Sequence, residues 1–126
     1  MKALIGIMPD HMFRQRIMAV VKGEYVPEEN APKIWFTSLL ALGQILSNEN
    51  IELLRMMARE KPESLSELAR LAGRNISNLS TTMKTLEGYG FAKKVKSKNT
   101  IMPVAVFTDF EIRVEQFPPQ EKSEAA

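Results

Sequence analysis

The sequence predicts a mainly helical α+β protein in which two short helices, joined by a glycine turn, lead into a β-hairpin. Three observations predict it. Residues 67–72 and 76–87 carry apolar side chains at helical spacing, with Gly73 between them. A capping residue stands before each helix, Ser66 for the first and Asn75 for the second. Beyond Gly88 and Gly90 the pattern changes to weak alternation on either side of a polar turn, Ser97-Lys98-Asn99.

The chain has 126 residues, 44% of them hydrophobic and 25% charged, the balance of a soluble globular domain with a modest core. A core of that size often gains stability by oligomerising. There is no cysteine, which excludes disulfides and thiolate metal sites and points to a cytoplasmic setting. The single histidine, His11, cannot form a histidine metal cluster or an acid–base pair. The longest apolar stretch, IWFTSLLALGQIL, is broken by Thr37, Ser38 and Gln44 and falls short of the ~20 residues a bilayer requires. The start, MKALIGIMPDHM, lacks the layout of a signal peptide and reads as the beginning of the fold.

From the N-terminus, residues 3–8 read as a short strand. Asp10 is placed to cap a helix over 12–22, with Phe13, Ile17, Val20 and Val21 at helical spacing and Gly23 as its stop. GEYVPEENAPK is a linker by composition. Ile34, Trp35 and Phe36 open an apolar segment, and Thr37 or Ser38 caps a short helix to Leu46. Ser47 caps another over 48–59, with Ile51, Leu54 and Met57 on its buried face, ended by Lys61-Pro62. In the helix pair, Leu68, Ala69 and Leu71 point inward from the first member, and Ile76, Leu79, Met83 and Leu86 from the second. Phe91–Lys96 and Thr100–Phe107 form the hairpin, with Pro103 marking an edge or bulged strand. Phe110, Ile112 and Val114 alternate as a third strand, and EQFPPQEKSEAA reads as a disordered tail. The expected layout is an N-terminal strand/helix extension over 1–46 that serves dimerisation, a winged helix-turn-helix domain over 47–114 with a C-terminal β wing, and a tail over 115–126.

Charge separates these regions. Net charge is only +2, yet residues 74–98 carry Arg74, Lys84, Lys93, Lys94, Lys96 and Lys98 against Glu87 alone. A locally basic segment in a near-neutral chain points to an anionic partner. The second helix of the pair sets Ser77, Asn78, Thr81 and Thr82 opposite its apolar stripe, short side chains that reach base edges when a helix lies in the major groove of double-stranded DNA. Arg74, Lys84, Lys93, Lys94, Lys96 and Lys98 suit phosphates, which fix position without reading sequence. A polar helix face or a lysine run taken singly is most often a solvated surface; the ordered set of caps, turn, helix, glycine stop and basic hairpin is far more specific.

The segment SLSELARLAGRNISNLSTTMKTLEGYGFAKKV resembles the winged helix-turn-helix core of MarR-like prokaryotic regulators. Its shared features are a Ser-Glu-Leu-Ala helix, a Gly-Arg turn, a Leu-Glu step and a Gly-Phe approach to the wing. The longer pattern, with GIMPDHMFRQRIMAVVKGEY ahead of WFTSLLALGQIL, is similar to a bacterial and archaeal group of such DNA-binding proteins. The resemblance implies a homodimer on a palindromic site and regulation of transcription. It also admits an antitoxin that neutralises a partner protein such as a toxin. Phe13, Ile17, Trp35, Phe36 and Leu40 are the expected dimer residues, with core packing their default role. No nucleophile has a base beside it in the sequence, no glycine-rich phosphate loop is present, and no catalytic residue, metal or cofactor is expected.

Overall fold

A computed structural model of the chain describes residues 1–119. Among them are five helices and five strands, an α+β arrangement. In order these are β1 (Lys2–Ile7), α1 (Asp10–Val21), β2 (Ile34–Phe36), α2 (Leu39–Ile45), α3 (Asn48–Glu60), α4 (Leu65–Ala72), α5 (Ile76–Gly88), β3 (Ala92–Ser97), β4 (Thr100–Ala105) and β5 (Asp109–Val114). The chain divides into two compact units, one of Met1–Ala3 with Gly43–Phe110, the other of Leu4–Leu42 with the chain from Glu111. No helix among the described residues is long and apolar enough to cross a membrane.

The first unit is built on α3, α4 and α5 and the antiparallel pair β3–β4. Ser47 caps α3 by accepting from the Asn50 N–H, and Lys61 ends it in a left-handed conformation (φ 48°) just before Pro62. The cap of α4 is Ser64 rather than Ser66: its hydroxyl accepts from the Glu67 N–H at 3.1 Å, while the Glu67 carboxylate reaches back to the Glu63 N–H at 3.0 Å. This is close to the reciprocal capping box, which needs Ser three residues ahead of Glu, a spacing Ser64 has and Ser66 lacks. Gly73 takes φ 66°, a left-handed position natural to glycine, and lets the chain turn from α4 into α5. Leu53, Leu54, Met57, Leu68, Leu79, Met83, Leu86 and Phe91 form the core. Three expected inward positions are not in it: Leu71 and Ile76 flank the turn and are exposed, and Ile51 is only half-buried.

The hairpin has an unbroken register from Ala92↔Ala105 to Ser97↔Thr100, so Pro103 sits opposite Lys94 without a bulge. A proline fits there when the missing N–H would have pointed away from the partner strand. Lys98 adopts φ 50° in the two-residue loop, the positive φ such tight connections demand.

The second unit differs from a simple strand/helix extension. β1 pairs in parallel with β2, with Ile5, Gly6 and Ile7 opposite Ile34, Trp35 and Phe36, and α1 lies in the crossover between them. The three-residue run Ile34–Phe36, expected only as an apolar entry to the helix after it, is β-branched and aromatic and takes strand geometry. The expected third C-terminal strand, β5, joins this sheet in the order β2-β1-β5, and the hairpin stays two-stranded. Asp10 heads α1 as its first residue and pairs with Arg14 at 3.0 Å; Pro9 occupies the cap position. Ile5, Ile7, Met8, Ala19, Phe36 and Leu42 are buried. The expected disorder from residue 115 does not begin there, because the Glu115 N–H donates to the Ile7 carbonyl at 2.9 Å and Phe117 stands edge-on to Tyr25 at 5.1 Å. Residues 120–126 of that tail lie outside the described residues.

Candidate nucleic-acid interface

Helix α5 has a sharp division between its faces. Leu79, Met83 and Leu86 are fully buried and anchor it to the first unit. Ser77, Asn78, Thr81 and Lys84 are exposed. Thr81 is the centre of the outer face, since its neighbours three and four residues away are Ser77, Asn78, Lys84 and Thr85. Thr82 is only half-exposed. It stands three residues after Leu79 and four before Leu86, at the border of the apolar stripe, and is the least available of the four expected base-reading residues.

The hydroxyls on this face are partly committed. Asn75 caps the helix by accepting from the Ser77 N–H at 2.9 Å and the Ser77 hydroxyl at 2.6 Å. Thr81 and Thr85 donate to the Ser77 and Thr81 carbonyls at 3.3 and 3.2 Å. Their donor hydrogens are thus used within the helix, leaving oxygen lone pairs facing out. The exposed Asn78 carboxamide has no hydrogen-bond partner among the described residues, so its donor and acceptor are both free. That combination suits an adenine edge.

The basic residues fall into two groups. Lys84, Lys93, Lys96 and Lys98 are exposed with no ion-pair partner among the described residues. Arg74 and Lys94 are engaged. Arg74 is half-buried, with Nη1 3.5 Å from Asn50 Oδ1, and Asn50 in turn donates to the Ile45 carbonyl at 2.9 Å. Lys94 Nζ lies 3.7 Å from Glu87 Oε1 at the end of α5. Alternation puts Lys94 and Lys96 on the strand face of buried Ala92, and Lys93 on the other. The row expected from Lys94, Lys96 and Lys98 is therefore anchored at one end by a carboxylate. Glu87 was visible as the one acidic residue in residues 74–98, but its pairing depended on how the strand leaves the helix.

The expected dimer residues are spread unevenly within the second unit. Phe36 is buried at 6% exposure and offers no surface, because it faces the sheet's own core. Phe13 and Trp35 are half-buried, with ring centroids 5.5 Å apart. Ile17 and Leu40 are exposed, Leu40 at 74%, next to exposed Leu39. Among the described residues no group of three His, Asp or Glu side chains is arranged to hold a metal ion.

Residues 45–112, more than half of the chain, match the model of the HVO_A0114 family, and the chain belongs to that family. The matched span runs from the end of α2 through α3, α4, α5 and the hairpin into β5. No curated protein matches the chain.

Proposed function

We propose that this chain is a sequence-specific, double-stranded DNA-binding regulator of transcription with a MarR-like winged helix-turn-helix. It acts in the cytoplasm as a homodimer and has no enzymatic step. In this reading α5 enters the major groove and the β3–β4 loop lies on the phosphates. One observation carries it: the outer face of α5 holds Ser77, Asn78, Thr81 and Lys84 with no exposed carboxylate among them, and Lys96 and Lys98 follow in the hairpin. Good surface helix formers such as Glu are scarce on that face, which favours contact over mere solvation. Asn78 is the first candidate for base contact and Lys96 and Lys98 for phosphate contact.

Selection of bound sequences from a random DNA pool, followed by gel-shift titration, tests the reading. Enrichment of a palindrome bound well above random DNA is the expected result. No binding at low salt to any duplex would end it.

A second reading, a protein-binding module such as an antitoxin, draws on exposed Leu39 and Leu40. Two adjacent exposed leucines suit a protein contact, either with a second copy or with a partner such as a toxin. Substituting both with Ser while leaving DNA affinity intact, and losing a co-purifying partner, would favour it.

A further inference from the structure

We infer that the second unit holds a binding site for a free α-amino acid with an apolar side chain, centred on Arg16. The cavity at Arg16 has a volume of about 440 Å³, within the usual range of small-molecule sites. Tyr25, Phe117 and Met8 give it apolar lining, and Glu28 and Glu115 add two carboxylates.

Arg16 differs from the other arginines of this unit. Arg14 is paired with Asp10 at 3.0 Å and Arg113 with Glu111 at 3.5 Å. Arg16 has no carboxylate partner among the described residues. Its guanidinium lies 4.9 Å from the Trp35 ring centroid and 5.7 Å from that of Tyr25, and those two rings pack in turn against Phe13 and Phe117. Ring contact positions the cation through its charge and leaves its N–H donors unspent. A guanidinium held in place with free donors is suited to a carboxylate, which it grips with two parallel hydrogen bonds.

The rest of the cavity narrows the ligand. Glu28 and Glu115 have no ion-pair partner among the described residues, and both line the space that Arg16 lines. Arg113 lines the space as well, its charge already answered by Glu111. A simple carboxylate would meet the two carboxylates, and a simple amine would meet the two guanidinium groups. A zwitterion answers both signs at once, with its apolar side chain against Met8 and Phe117. Among small zwitterions, an α-amino acid carries both charged groups on one carbon and leaves the side chain free.

Isothermal titration of the full chain with L-phenylalanine and L-leucine tests this, beside phenethylamine, which lacks the carboxylate, and 3-phenylpropionate, which lacks the ammonium group. Saturable binding of an amino acid, with both analogues at least about tenfold weaker, is expected. In Arg16→Ala the preference over phenethylamine should vanish. The double variant Glu28→Gln/Glu115→Gln leaves the ring bracket untouched and should lose the preference over 3-phenylpropionate, which keeps the test decisive if Arg16→Ala fails to fold. Three results would each overturn the site: no saturable heat at about 10 mM amino acid, analogues that bind equally well, or wild-type selectivity in the double variant. None of these outcomes depends on whether the protein binds DNA.

Discussion

Lys94 Nζ stands 3.7 Å from Glu87 Oε1, and that oxygen is shielded from solvent without a hydrogen-bond partner. Lys94 is therefore the charge that answers Glu87 where α5 gives way to the hairpin, and part of its attraction for phosphate is already spent. Glu87→Gln should release it. Affinity for all duplexes should rise by a few-fold, the scale of a partly exposed ion pair. The salt dependence should steepen by about one counterion. Fluorescence anisotropy over a salt series measures both, and an unchanged slope would show that Lys94 already contacts phosphate with Glu87 in place.

Lys96 and Lys98 have no such competitor among the described residues. Replacing both with Ala should weaken specific and random DNA alike and lower the salt slope by about two units. Loss confined to one sequence would mean that these lysines read bases, contrary to their assigned role. The same anisotropy series, run on the selected site and a scrambled one, separates the two.

Asn78 and Thr82 should behave differently although they are one helical turn apart. Asn78 is exposed and unpartnered, whereas Thr82 sits at the edge of the buried stripe. Asn78→Ala should cost about 1–3 kcal/mol of discrimination at one base pair. Thr82→Ala should leave the sequence preference nearly unchanged. Competition against single-base variants of the selected site provides the readout, and equal effects at the two positions would contradict the orientation inferred for α5.

The helices were the legible part of this sequence, because each writes itself in local terms. Leu79, Met83 and Leu86 repeat at three and four residues, and Asn75 and Ser47 stand where caps are needed. The α4 cap lies two residues before the expected Ser66, since Ser64 and Ser66 are both good caps and only the Glu67 spacing decides between them. The sheet was far less legible. β2 has three residues, too few for a period, and its parallel partner β1 lies 27 or more positions away in the sequence. The strand β5 was legible from its alternation, but its place beside β1 was not, because the two are about a hundred residues apart in the sequence. At the candidate interface the polar face of α5 followed from periodicity. The Glu87–Lys94 pair and the bracketing of Arg16 by Trp35 and Tyr25 did not, since each depends on how separate elements come together.

Gly6 gives the sharpest test of the β1–β2 pairing. It lies opposite Trp35 in the register, and a Cβ added to it would fall within the space of the Trp35 indole ring. The ring cannot yield freely, because Phe13 and Arg16 are both set against it. Gly6→Ala should therefore destabilise the protein by about 1–3 kcal/mol, the usual cost of overpacking. Gly43 is the internal control: it is helical, and a Cβ there would meet nothing within 4 Å. Gly43→Ala should stabilise by about 0.4–1 kcal/mol, because alanine loses less backbone freedom in a helix. Urea unfolding of the two variants should thus move the midpoint in opposite directions. If Gly6→Ala were neutral, the parallel register of β1 and β2, and with it the position of Trp35 beneath Arg16, would have to be redrawn.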